Sequence, residues 1–119
     1  MSVKLLVVDD ESDVREFVAN FFRKRKVEVF TAQDGEEAIK VLVSVQPEIV
    51  LLDINMKGMD GIEALKRIKE LNDWAKVIML TGRDDEDAVQ RTRELGAYGY
   101  IHKPLKLDEL EKVVMELLR

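Results

Sequence analysis

A doubly wound α/β fold is predicted by three features: five short, continuously apolar runs, helical spacing in the stretches between them, and capping signals where the two meet. The runs are LLVV after Lys4, VEVF from Val27, IVLL from Ile49, VIML from Val77 and YGYI from Tyr98. Unbroken apolarity of that length suits parallel strands covered on both faces, because a strand with one wet face would alternate.

The first run leads into Val14, Phe17, Val18, Phe21 and Phe22, whose i, i+3, i+4, i+7, i+8 spacing makes one apolar helix face. All three phenylalanines are therefore expected in the core. After the second run, Asp34 with Glu37 three residues on is a helix start, and Gln46-Pro47 ends that helix because the residue before proline is driven out of the α region. Asp60 with Glu63 opens the third helix, and Asp84 with Asp87 is a weaker form of the same signal for the fourth, which Gly96 stops. The charge run RDDEDAVQRTRE reads as a solvated face of that fourth helix, which also contributes to an output surface. Leu110, Val113, Val114, Leu117 and Leu118 repeat the helical pattern at the end.

The order is thus βαβαβαβαβα, with no linker, repeat or low-complexity stretch, and residues 1–119 are expected to form one domain. Right-handed crossovers place helices on both faces of a five-stranded parallel sheet. Of the two common doubly wound orders, alternation of five strands favours, by analogy, the flavodoxin-like (βα)5 arrangement 2-1-3-4-5. Ligands then bind outside the carboxyl ends of the strands, near the point where the order reverses.

Composition narrows the functions available. Apolar residues make up 46% and charged residues 36% of the chain, a globular core under a charged surface. The formal charge of −5 opposes docking on phosphate backbones, so no direct nucleic-acid partner is expected. Absence of cysteine removes thiolate chemistry and thiolate metal sites. The apolar runs are too short to span a membrane, and acid arrives too early in MSVKLLVVDD for a signal peptide, so the expected location is the cytoplasm.

Chemistry gathers at the strand ends: Asp9-Asp10 after the first run, Asp53 after the third, Thr81 after the fourth, His102-Lys103-Pro104 after the fifth. Each is ordinary alone. An acidic pair often caps a helix, a lone aspartate or threonine belongs to a turn, and a lone lysine is a solvated charge. Together they bring three carboxylates, a hydroxyl and an ammonium to one sheet edge. Carboxylates so close repel one another unless cations share the site, and an all-oxygen donor set points to Mg²⁺ or Mn²⁺ rather than zinc. A carboxylate supported in this way can act as a nucleophile toward phosphorus, where catalysis is mainly positioning and charge stabilisation.

Through VVDDE, LLDINMKGMDG, MLTGRDD and GAYGYIHKPLKLDEL the chain resembles the response-regulator receiver family of two-component signalling, over essentially its whole length. The resemblance implies that Asp53 is the phosphoacceptor. It also implies that Asp10, Asp53 and the Asn55 backbone carbonyl ligate Mg²⁺, with Asp9 assisting through water. Thr81 and Tyr100 correspond to the switch pair, Lys103 to the phosphoryl-binding lysine, and Lys103-Pro104 to a cis peptide. Implied partners are a histidine kinase or histidine phosphotransfer protein, a downstream protein target, and in some members a phosphorylation-dependent second copy. Most members have proline where this chain has Lys57, which adds positive charge beside the pocket. Gly82 leaves access to Asp53 open.

Other conspicuous residues read more plainly. His102, with no second histidine, is a surface residue at a strand end, neither a phosphorylated histidine nor a ligand. Met56 and Met59 are loop packing, and Trp74 is a partly exposed anchor away from the site. Two rivals remain beside the phosphoacceptor. A haloacid-dehalogenase-like phosphatase places its nucleophile on the first strand in a DxD arrangement and normally needs a longer chain. A receiver-like module that is never phosphorylated usually lacks one of the acids, the threonine or the lysine, and this chain has them all. Nucleotide binding has no support, since neither GxGxxG nor a P-loop occurs.

Overall fold

A computed structural model describes residues 3–56, 58–82 and 86–117. Among these residues, five strands and five helices alternate: β1 (Lys4–Val8), α1 (Ser12–Arg23), β2 (Glu28–Ala32), α2 (Gly35–Val45), β3 (Ile49–Asp53), α3 (Gly61–Leu71), β4 (Lys76–Thr81), α4 (Glu86–Glu94), β5 (Gly99–His102) and α5 (Leu107–Leu117). The sheet is parallel in the order β2-β1-β3-β4-β5, the order expected. Four strand starts differ by a residue from the apolar runs: β1 and β4 open one residue earlier, at Lys4 and Lys76, and β2 and β5 one residue later. Val27 belongs to the turn out of α1, where its N–H donates to the Phe22 carbonyl and the preceding Lys26 takes a φ of 65°, so β2 begins at Glu28. Tyr98 is largely exposed, and β5 begins at Gly99.

Alternation along the buried strands feeds two separate cores. Leu5, Val7, Ile49, Leu51, Ile78 and Leu80 face α1 and α5 through Val18, Ala19, Phe22, Leu110 and Val114. Leu6, Val8, Val50, Leu52, Val77 and Met79 face the other helices through Ala38, Leu42, Ala64, Leu65, Ile68 and Ala88. Both sets are almost wholly buried, at roughly 1.5–3 kcal/mol for each large side chain removed from water.

Phe17 is a correction, because it is 54% exposed while Phe22 is fully buried. At 3.6 residues per turn Phe17 stands about 140° round the helix from Phe22, outside the stripe that meets the sheet. Phe21 is half-buried and meets Phe22 edge-on, with ring centres 5.0 Å apart. The final helix follows expectation through Leu110 and Val114, and Leu118 lies outside the described residues.

The capping signals act as their chemistry predicts. The Asp34 carboxylate accepts the Glu37 N–H and the Asp60 carboxylate accepts the Glu63 N–H, each at 2.8 Å. Gln46, the C-cap of α2, takes a left-handed φ of 56°, and Gly96 takes 99° just beyond α4. Asp84 lies outside the described residues. Gly61, the first residue of α3, sits so close to the end of β3 that an added Cβ would lie 2.4 Å from the Asp53 carbonyl oxygen, and its N–H donates to the Ile54 carbonyl at 3.1 Å. Among the described residues no helix is long and apolar enough to cross a membrane.

Candidate functional site

The strand order reverses between β1 and β3, and the crevice at their carboxyl ends holds the acids. Asp9 leaves β1 still tied to the sheet, its N–H donating to the Ala32 carbonyl at 3.2 Å, and it is fully buried. Its Oδ1 accepts the Glu11 N–H at 3.0 Å, so half of this carboxylate serves the turn into α1. Asp53, the last residue of β3, is 2% exposed, and its Oδ1 accepts the Asn55 N–H at 3.1 Å. The second oxygens of both acids face one ammonium: Lys103 Nζ lies 3.4 Å from Asp9 Oδ2 and 3.2 Å from Asp53 Oδ2. The more open Asp10 completes a group whose carboxylate oxygens lie within 4.8 Å of one another.

Burial, and then the Asp9 charge, push the Asp53 carboxyl above its ordinary value, against the Asn55 N–H and Lys103, which lower it. Burial alone would lower the Lys103 ammonium, but Asp53 and Asp9 more than offset this and hold it above its usual value. One ammonium thus serves two buried carboxylates. Asp9 Oδ2 has no hydrogen-bond partner, and its ion-pair distance to Lys103 is long for a charge-assisted hydrogen bond. Three clustered carboxylates, an all-oxygen donor set and one orphaned buried oxygen fit a hard divalent cation. Among the described residues, the carboxylates of Asp9, Asp10 and Asp53 are the grouped side chains that offer it ligand atoms.

Thr81 ends β4, buried, with its carbonyl accepting the Lys103 N–H at 2.7 Å, which fixes where the lysine leaves β5. The Lys103-Pro104 bond is cis. Tyr100 pairs with Met79 and His102 with Thr81, so Thr81 and Tyr100 stand on one face of neighbouring strands, two positions apart along the ladder. His102 is exposed, as expected. Met56 and Met59 pack against the core, and an added Cβ at Gly82 would meet nothing within 4 Å. Trp74 is 50% exposed beside Val3, Glu48 and Lys76, at the opposite end of the strands from Asp53. Lys57 lies outside the described residues.

Sequence reasoning passed over two further groups. The Arg15 guanidinium donates to the Asp9 carbonyl at 2.8 Å, holding the acidic turn from α1. The Tyr100 hydroxyl donates to the Val89 carbonyl at 2.9 Å beside the Thr92 hydroxyl, which makes part of α4 an inward-facing surface and not a solvated one. A signal was present, since Ala88 and Thr92 within the charge run and Leu95 just after it recur at i, i+4, i+7.

Residues 5–115 match the family described as the response regulator receiver domain. Sporulation initiation phosphotransferase F of Bacillus subtilis (strain 168) is 36% identical over 118 residues, covering 99% of this chain and 95% of that protein. The alkaline phosphatase synthesis transcriptional regulatory protein PhoP of the same strain is 34% identical across 100% of this chain, which spans 50% of that longer protein. Among solved structures, the chemotaxis protein CheY4 of Vibrio cholerae superposes with a TM-score of 0.92 at 28% identity, covering 98% of this chain and 99% of that one. The receiver domain of NtrX from Brucella abortus superposes at 0.89 with 34% identity, covering 96% and 97%.

The chain belongs to the response-regulator receiver family, the signalling domains of two-component systems. Such domains interact with histidine kinases, bind Mg²⁺ at an acidic pocket and are not enzymes of the ordinary kind.

Proposed function

We propose that this domain is a cytoplasmic phosphoacceptor that takes a phosphoryl group from the phosphohistidine of a kinase or phosphotransfer protein onto Asp53, and that the modified state switches the face formed by α4, β5 and α5. The observation that carries this reading is the pair of buried carboxylates, Asp9 and Asp53, sharing the single Lys103 ammonium. That arrangement holds Asp53 at the crevice mouth with one oxygen braced by the Asn55 N–H and leaves net negative charge for a cation to balance.

In the transfer, an Asp53 oxygen forms a P–O bond as the donor's P–N bond breaks, with the electron pair returning to the donor's imidazole nitrogen. Bound Mg²⁺, held by Asp10, Asp53 and the Asn55 carbonyl with Asp9 assisting through water, would supply charge neutralisation at the phosphoryl oxygens. Lys103 follows the charge from the Asp53 carboxylate to those oxygens, and the Thr81 hydroxyl donates a hydrogen bond to one of them. The domain in this way assists its own phosphorylation and dephosphorylation.

The energetics are of the right size for a switch. A phosphoryl group brings up to about −2 charge and three acceptor oxygens. Each hydrogen bond to a charged group contributes roughly 1.5–3 kcal/mol, and reversing a 1:99 population takes about 5.5 kcal/mol. Thr81, Lys103 and the cation together reach that figure. As the Thr81 hydroxyl moves toward the phosphoryl, the space it leaves on its face of the sheet is open to the Tyr100 ring on the next strand. A downstream protein or a second copy of the chain reads the altered face.

The test is intact-mass measurement after incubation with Mg²⁺ and a small phosphodonor. One added phosphoryl group, lost in Asp53→Asn and in EDTA, is the expected result. No adduct would make this an inert interaction module, and label on His102 would overturn the assignment.

A further inference from the structure

We infer that Thr92 is a positioning residue that holds Tyr100 turned in against α4 before any phosphoryl group arrives, so that this domain's switch is partly pre-set. The inference rests on the phosphoacceptor reading above and adds to it a residue outside both the acidic crevice and the Thr81–Tyr100 pair.

Three oxygens form a small triangle under α4. The Tyr100 hydroxyl lies 2.9 Å from the Val89 carbonyl, the Thr92 hydroxyl lies 2.9 Å from the same carbonyl, and the two hydroxyls are 3.1 Å apart. Two protons are available for three contacts. The arrangement that uses both across the tertiary contact runs from Thr92 to Tyr100 to Val89, a chain in which each bond polarises the next. Thr92 is fully buried although α4 is otherwise dominated by charge, and threonine is a weak helix former. Its bond to the carbonyl three residues back is a common local one, but the tyrosine oxygen beside it is not local and gives the hydroxyl a second use.

The same face of α4 holds the ring from outside. Val89, Thr92 and Arg93 stand at i, i+3 and i+4, and the Arg93 guanidinium lies 5.5 Å from the Tyr100 ring centre. The ring packs against the core that contains Met79 and Ala88. To swing outward, Tyr100 must leave a carbonyl, a hydroxyl and a cation at once. A ligand that binds best when the ring is in gains affinity in proportion to the fraction of molecules already so arranged. Removal of the Thr92 hydroxyl lowers that fraction, while a serine at this position keeps the donor.

The experiment uses the whole chain. Beryllofluoride with Mg²⁺ is titrated into wild type, Thr92→Val, Thr92→Ala and Thr92→Ser, and the amide resonances of β5 and α4 are followed together with the ring resonances of labelled Tyr100. Thr92→Val and Thr92→Ala should weaken apparent beryllofluoride affinity by roughly two- to tenfold, the span of one net hydrogen bond, and should move the Tyr100 ring resonances before any addition. Thr92→Ser should stay with wild type in both readings. The two variants lacking the hydroxyl differ in volume, so a packing defect in one is exposed by the other. A wild type that gives no response overturns the phosphoacceptor reading and the pre-set switch with it. A wild type that responds while the hydroxyl-free variants match it in both readings, or bind more tightly, overturns the role of Thr92 alone.

Discussion

Replacing Asp53 by asparagine should make the metal-free protein more stable, although it removes the residue on which the proposed chemistry depends. In the fold, Asp53 is buried beside Asp9, and the two share one ammonium. Asparagine is nearly isosteric and keeps an oxygen to accept the Asn55 N–H; its amide takes the place of Oδ2, giving up that oxygen's ion pair with Lys103 but removing one of two buried carboxylates and leaving the ammonium to Asp9 alone. The gain should be about 1–3 kcal/mol, the cost of burying a polar group that is incompletely compensated, or ~4 °C in Tm for each kcal/mol.

The sign can be checked with pH. Because the Asp53 carboxyl lies above its ordinary value of 3.8 in the fold, its contribution is favourable below that value and is lost as pH rises through the raised one. The advantage of Asp53→Asn should therefore be absent in acid and grow toward neutrality. Mg²⁺ should invert the ranking, since a ligand at a hundred times its Kd adds about 2.7 kcal/mol to a fold that binds it, and the variant lacks a carboxylate for the ion. Thermal unfolding in EDTA and in Mg²⁺ between acid and neutral pH measures all of this. A variant less stable than wild type in EDTA at neutral pH, or an advantage that persists in strong acid, would refute the account of the site as a frustrated pair of carboxylates.

Four shorter predictions follow from the same geometry. Asp10→Ala should lose more Mg²⁺ affinity than Asp9→Ala, for which a loss on the order of tenfold is expected of a group acting through water; equal losses by calorimetry would contradict that division. Thr81→Ala should still accept phosphoryl at Asp53 but lose most of the beryllofluoride-dependent amide shifts at Val89, Tyr100 and His102, with Lys103→Ala more severely affected; a full wild-type pattern in Thr81→Ala would rule out the coupling. Saturating Mg²⁺ should quench Trp74 fluorescence little, because that ring lies at the other end of the strands; strong saturable quenching would place it wrongly. Phe17→Ser should change stability by no more than about 0.5 kcal/mol, against about 3–5 kcal/mol for Phe22→Ala, as urea unfolding would read.

The sheet was legible because its strands are buried on both faces, so IVLL and VIML advertise themselves without alternation. The acids, threonine and lysine were legible for a different reason: their positions after apolar runs put them at strand ends, and a doubly wound sheet brings strand ends together. Phe17 misled because periodicity tells which residues share a helix face but not how wide a stripe the neighbours cover. The spacing in α4 marks the face that Thr92 shares, but the bonding of Arg15 and Thr92 was hidden for a third reason. Each acts on a backbone carbonyl, Asp9 and Val89, and a carbonyl has no letter in the sequence.

Gly61 carries a consequence for how this domain can diverge. Its missing side chain lets α3 begin against the backbone of Asp53 and Ile54, and its N–H returns to the Ile54 carbonyl. The loop between is therefore a closed handle, riveted at both ends to one point beside β3. Gly58 on its rim has open space around it, but its φ of 77° strains any residue that carries a side chain, so the handle resists change there as well. The loop that carries Asn55, a ligand in the proposed cation site, is thus pinned by two glycines, and divergence that alters either one disturbs that site.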